Sequence, residues 1–69
     1  MKPLGLTLQQ EQILDALVEH GCNKAVARHL DMNIRTLEGH LARIMARMKA
    51  KSRMHAAIQW DRYRRANAT

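Results

Sequence analysis

The 69-residue chain has no phenylalanine, one tryptophan, one tyrosine, one proline and one cysteine. Each scarcity excludes something. A single thiol, Cys22, rules out an internal disulfide and fits a reducing cytoplasm, where it is a small packed or partly exposed residue. The only proline, Pro3, lies ahead of any expected helix, so nothing interrupts the helical patterns that follow. No apolar run approaches the roughly 20 residues that cross a bilayer, and no signal-peptide pattern opens the chain. No membrane partner is expected, and the location expected is cytoplasmic. A chain this short forms one domain at most and buries little surface, so self-association is an easy way to gain stability.

Acidic residues are also few: six against twelve Lys and Arg, for a net charge of +6. The imbalance is uneven. Residues 1–22 hold one Lys against three acids, whereas residues 23–69 hold eleven Lys and Arg against three acids. A basic C-terminal two-thirds suits a polyanion partner, most often nucleic acid. It also suits a merely soluble basic surface, and charge alone does not decide between them.

What is abundant is helix-forming: Ala, Leu, Met, Arg, Gln and Lys. An all-α domain over residues 6–66 is expected, with a tail over 1–5 and a frayed end over 67–69. In "LTLQQEQILDALVEHG", Thr7 is an N-cap and Gln10 completes a capping box. Ile13, Leu14, Leu17 and Val18 recur at helical spacing, and Gly21 ends the helix. "NKAVARHL" is a short second helix with Asn23 as its N-cap, Ala27 and Leu30 facing inward, and Lys24 and Arg28 on one outer side. Asp31 and Met32 make a tight break. Asn33 caps a third helix from Ile34 to Met48 or Lys49. Its Leu37, Leu41, Ile44, Met45 and Met48 form one apolar stripe. The opposite side carries Arg35, Gly39, Ala42, Arg43 and Ala46. Ser52 caps a fourth helix, "RMHAAIQWDRYRRA", which has two apolar sides: Met54 with Ile58, and Ala56, Ala57, Trp60 and Tyr63. One side is core. The reading adopted makes the Trp60 side a subunit contact; the alternative is that Trp60 covers the edge of the core.

Two short helices, a break of about three residues and a longer helix with a basic outer side stand in helix-turn-helix order. At this point the sequence resembles the LuxR/GerE-type DNA-binding domain, also found at the C-terminus of FixJ- and NarL-type response regulators. The likeness runs without a gap from Leu6 to about Ala57. It is carried by Leu6-Thr7, by Asn23-Lys24, by "VARHL", by Asn33 with Thr36, Leu37 and His40, and by "RMKAKSRMHAA". The resemblance implies four helices, pairing through the last one, and double-stranded DNA as partner. The chain departs from the family pattern at Gln10 and Gln12, where acids are usual. It departs again at His20, where a glycine is usual, and at three positions of the third helix. There Glu38 replaces a lysine or other polar residue, Gly39 an asparagine or valine, and Ala42 a polar or basic residue.

Physical consequences follow for a helix laid in the major groove. A carboxylate near phosphates is repelled unless it accepts from a cytosine amino group, while Gly39, Ala42 and Ala46 offer no hydrogen bonds to base edges but let the helix axis come close. Base reading is therefore expected from Arg35, Glu38, Gly39, Ala42 and Arg43. Backbone contacts are expected from Lys24, Arg28, Thr36, His40, Arg47, Lys49, Lys51 and Arg53. Each of these cations is equally readable as a solvated side chain. His20, His29, His40 and His55 lack the spacing of a metal-ligand set, so no metal and no cofactor are expected. Met45 and Met48 are core fillers. No paired carboxylates and no Cys–His arrangement point to catalysis, so an enzyme is not expected.

Two readings of function stand. The first is a sequence-specific transcriptional regulator consisting of the reading domain alone, as a natural short protein, with helix 34–48 in the groove and a homodimer on the DNA. The second is an interaction protein that keeps the fold and antagonises another transcription regulator by direct binding, a reading that Glu38 favours.

Overall fold

The computed structural model describes residues 5–67. Among them are four α-helices: α1 (Leu8–His20), α2 (Asn23–His29), α3 (Ile34–Met48) and α4 (Arg53–Asn67). The expected all-α architecture is the one observed. The expected tail lies outside the described residues apart from Gly5. At the other end Asn67 is still helical, and residues 68–69 lie outside.

The helix ends follow local chemistry. Thr7 Oγ1 accepts from the Gln10 N–H at 3.1 Å, and the Gln10 carboxamide oxygen accepts from the Thr7 N–H at 3.0 Å, so the capping box is closed. Gly21, at φ 81°, ends α1 and donates its N–H to Leu17 O at 2.9 Å. The N-cap of α2 is Cys22 rather than Asn23. Cys22 has extended backbone, makes no side-chain capping bond and is exposed. Asn23 is already helical, and its side chain is engaged elsewhere.

Both α2 and α3 end in the same motif. After α2, Met32 N–H bonds Ala27 O at 2.8 Å and Asp31 N–H bonds Arg28 O at 3.2 Å; after α3, Ala50 N–H bonds Met45 O at 2.9 Å and Lys49 N–H bonds Ala46 O at 3.3 Å. These are Schellman closures, whose turning residue must be left-handed. That residue is Asp31 (φ 52°) in one and Lys49 (φ 55°) in the other, neither of them glycine. The break between α2 and α3 is completed by Asn33, whose side chain accepts from the Arg35 N–H at 2.8 Å.

The helices bury one shared core. Ile13, Leu14, Val26, Leu37 and Ile44 are fully enclosed, and Leu6, Leu17, Leu41 and Met48 close around them. Val18, expected in the buried stripe, is only half-buried, as are Leu30 and Met45 at the core's margin. α1 packs against all three other helices, and α3 packs against α2 and α4. α3 is thereby held from one side along its whole apolar stripe. Truncating a fully enclosed leucine such as Leu37 to alanine costs about 2–5 kcal/mol, much of the stability available to a domain of this size.

The fourth helix corrects the sequence reading. Ala56 and Trp60 are 0% and 5% exposed, inside the subunit's own core, while Met54 and Ile58 are 70% and 46% exposed. Trp60 and Ala56 are therefore not available as a subunit contact. The physical reason is the indole N–H. A buried tryptophan needs an acceptor, and Trp60 Nε1 donates to the Asp15 carboxylate of α1 at 2.8 Å. Tyr63, half-buried, stacks on Trp60 with ring centroids 5.3 Å apart. Ala57 lies on the border, lining a shallow groove with Val18, Met54 and Ile58.

Candidate nucleic-acid interface

With Leu37, Leu41, Ile44 and Met48 committed to the core, the 3.6-residue period turns Arg35, Gly39, Ala42, Arg43 and Ala46 outward, and all five are exposed. The side chains of Arg35 and Arg43 make no hydrogen bond or ion pair with any described residue. The guanidinium-bearing side of α3 thus stands clear of the interior.

The residues expected to hold the phosphate backbone fall into two groups. Lys24 and Arg28 on α2, Thr36 on α3, and Lys49 and Lys51 beyond it have exposed side chains. His40 is half-buried. Arg47 and Arg53 are tethered. Arg47 Nη1 donates to the Gly5 carbonyl at 2.8 Å, tying the approach to α1 onto the flank of α3. Arg53 Nη1 donates to the Asn23 side-chain oxygen at 2.8 Å, joining the start of α4 to the start of α2. The sequence reading missed both tethers. They link residues 42 and 30 apart, and no local pattern signals them. Arg47 stays exposed and Arg53 half-exposed, so each keeps N–H groups turned to solvent.

Lys51 opens the last turn before α4. Its N–H donates to His55 Nδ1 at 3.1 Å, while Ser52 Oγ accepts the His55 N–H at 3.1 Å. Ser52 is thus the cap the sequence suggested.

Glu38 sits at the edge of the outward side. It lines an open groove of about 360 Å³ with Asn23, Leu41, Met45, Arg53 and Met54. Glu38 is exposed and makes no ion pair with Arg53 across that groove, so its charge remains on the edge of the outward side.

Towards the end of α4, Asp15 and Asp61 are paired with Arg64 and Arg65, while Arg62 is exposed. Asp15 accepts from Trp60 and, at 3.0 Å, from Arg64; Asp61 accepts from Arg64 at 3.1 Å and from Arg65 at 3.0 Å. The Arg64 hydrogen bond, with the Arg65 charge beside it, holds the Asp61 carboxyl below its ordinary value. The same contact, helped by Asp15, raises the Arg64 guanidinium.

Two of the four histidines meet in the fold. Folding brings the His20 ring against His29, with centroids 4.5 Å apart and planes tilted by 42°. No local spacing links the end of α1 to the end of α2. Among the described residues no group of three or more His, Cys, Asp and Glu side chains could hold a metal ion. No helix of the described residues is long and apolar enough to cross a membrane.

A short scaffold helix, a four-residue turn and a longer helix whose cations face outward define a helix-turn-helix domain. The chain belongs to the luxR family of bacterial regulatory proteins, whose profile matches residues 4–59. It is similar to the transcriptional regulatory protein FixJ of Rhizobium meliloti (strain 1021), with 46% identity over 50 residues. That match takes in 72% of this chain and 24% of the relative, so the chain spans about a quarter of that protein's length. No solved structure matches it significantly.

Proposed function

We propose that the protein is a sequence-specific DNA-binding transcriptional regulator that lays α3 in the major groove. The observation that carries this reading is that Arg35 and Arg43 meet no partner among the described residues, on the exposed side of a helix packed along its other side. Arginine reads guanine through two parallel hydrogen bonds to O6 and N7. Gly39, Ala42 and Ala46 let the helix axis approach the bases between those arginines. Glu38, at the rim, accepts from a cytosine amino group. Lys24, Arg28, Thr36, His40, Arg47, Lys49, Lys51 and Arg53 fix register on the phosphates.

The active form in this proposal is a homodimer through the Met54–Ile58 side of α4. Membership of the luxR family supports it, and so does the exposure of two large aliphatic side chains on a helix already packed by its other side. Two copies related by a two-fold axis meet half-sites about one helical turn, ~34 Å, apart.

Selection from a pool of random duplexes tests the reading. A short, roughly palindromic motif is expected. Affinity for it should fall with salt at about 0.9 log units per phosphate contact. An unenriched pool would overturn the proposal. For the dimer, Met54→Glu with Ile58→Glu should lower the sedimenting mass, and an unchanged mass removes that part.

One observation favours a second reading. The exposed Met54–Ile58 side can equally seat the last helix of a longer luxR-family regulator, giving mixed pairs that antagonise it. Tight binding to such a regulator, together with an unenriched duplex pool, would select this reading over the first.

A further inference from the structure

Two residues on the DNA-facing side go against the local preference of the backbone. Gly39 occupies the middle of α3, where glycine is among the poorest helix formers and alanine the best. Nothing inside the protein requires it. Its φ is ordinary for a helix, and a Cβ added there would meet no atom within 4 Å. Lys49 shows the opposite mismatch. It occupies the left-handed turn that closes α3, at φ 55° and ψ 36°, where glycine alone is free of strain. Nothing inside the protein requires its side chain either, for it is exposed and makes no hydrogen bond or ion pair with any described residue.

Asp31 is the comparison that gives these two their meaning. It takes the same left-handed position in the same closure after α2. Aspartate, however, is one of the few side chains that visits this conformation readily. Lysine is not.

A side chain is thus withheld where the helix favours one, and retained where the turn favours none. Both departures lie on the exposed flank of α3 and its exit turn. An external surface accounts for both at once. We infer that Gly39 marks where the α3 backbone comes nearest the floor of the groove, and that Lys49 holds a phosphate at the groove's edge. The inference rests on the DNA-binding reading above and assigns separate tasks within it. Gly39 acts by absence, as a steric determinant of specificity. Lys49 acts by charge, and so equally on all sequences.

The test uses the full chain and the duplex recovered from the random pool, with melting temperature and affinity read for each variant. Gly39→Ala should raise the melting temperature by roughly 4 °C yet weaken binding to the selected duplex at least tenfold, with the salt slope unchanged. Lys49→Gly should also raise the melting temperature. It should weaken binding to selected and random duplexes alike, and shallow the salt slope by about 0.9 for each copy bound. Lys49→Arg, which keeps both charge and strain, should retain the slope. Asp31→Gly relieves the same backbone conformation away from the proposed contact and should not weaken binding.

Gly39→Ala and Lys49→Gly binding as tightly as the parent would overturn the inference while leaving DNA binding intact. A salt slope unmoved by Lys49→Gly would remove the phosphate assignment. Loss of binding with Asp31→Gly to match Lys49→Gly would show that turn geometry, not the lysine, is responsible. A parent chain that enriches no duplex would remove the underlying reading as well.

Discussion

Arginines are used in two different ways in this molecule. At the end of α4, Arg64 and Arg65 reach Asp15 and Asp61 at 3.0–3.1 Å, and the Asp15 carboxylate also anchors the indole of Trp60. On the outer side of α3, Arg35 and Arg43 face solvent, and no acid among the described residues meets them. Residue type is the same in both regions; the position of the few acids makes the difference. Where acids face the cations, charge joins helix to helix. Where they do not, the guanidinium groups are left for a partner to neutralise; Arg62 of α4 is likewise exposed with no bond to a described residue, and α3 is the helix proposed for DNA because its free arginines lie on the second helix of the helix-turn-helix pair.

The sharpest way to break this comparison is at the paired end. Trp60→Ala removes the indole and leaves Asp15 with Arg64 alone, at an expected loss of about 3–5 kcal/mol. A urea melt should show a largely unfolded chain. A variant that melts like the parent but loses its pairing would return Trp60 to the subunit contact first expected for it. The next effect falls on the free end. Arg43→Ala should leave the melt unchanged and weaken binding to the selected duplex by about 1–3 kcal/mol, with preference relaxed at one base position. Arg64→Ala should do the reverse on a smaller scale. Its ion pairs are over a third exposed, so ~1 kcal/mol or less of stability is expected to go, with DNA affinity intact. Equal loss of affinity in Arg43→Ala and Arg64→Ala would erase the division between the two regions.

The smallest effect is in acid. The Asp61 carboxyl is held below its ordinary value of 3.8, chiefly by the hydrogen bond from Arg64. A depressed folded value means that its contribution is present above that ordinary value and is lost as pH falls through the lowered one. Asp61→Asn should therefore flatten the acid limb of the melting profile and leave the neutral region little changed. Parallel profiles for the two proteins would dismiss the role.

Much of the fold was legible because its signals are local. The Thr7–Gln10 box, the Asn33 cap and the stripe from Leu37 to Met48 each lie within one helix, and each stands where the sequence puts it. The outward set on α3 was legible for the same reason, since fixing the buried side of a helix fixes the other. The two sides of α4 were not. Met54 with Ile58 and Ala56 with Trp60 have equal claims on hydrophobicity, and the deciding contact, Trp60 to Asp15, spans 45 residues. The ties of Arg47 to Gly5 and of Arg53 to Asn23, and the contact of His20 with His29, escaped for that reason too. Each depends on how helices cross, which no periodicity records.

Cys22 gives these ideas a practical handle. It is a single exposed thiol on extended backbone at the start of α2, with no side-chain capping bond to lose. A nitroxide or fluorophore attached there labels the protein once per copy, without disturbing a helix end. In a two-fold assembly on a duplex, such probes report one inter-label separation, so a spectroscopic ruler can measure the spacing of the two copies before any crystal of the complex exists.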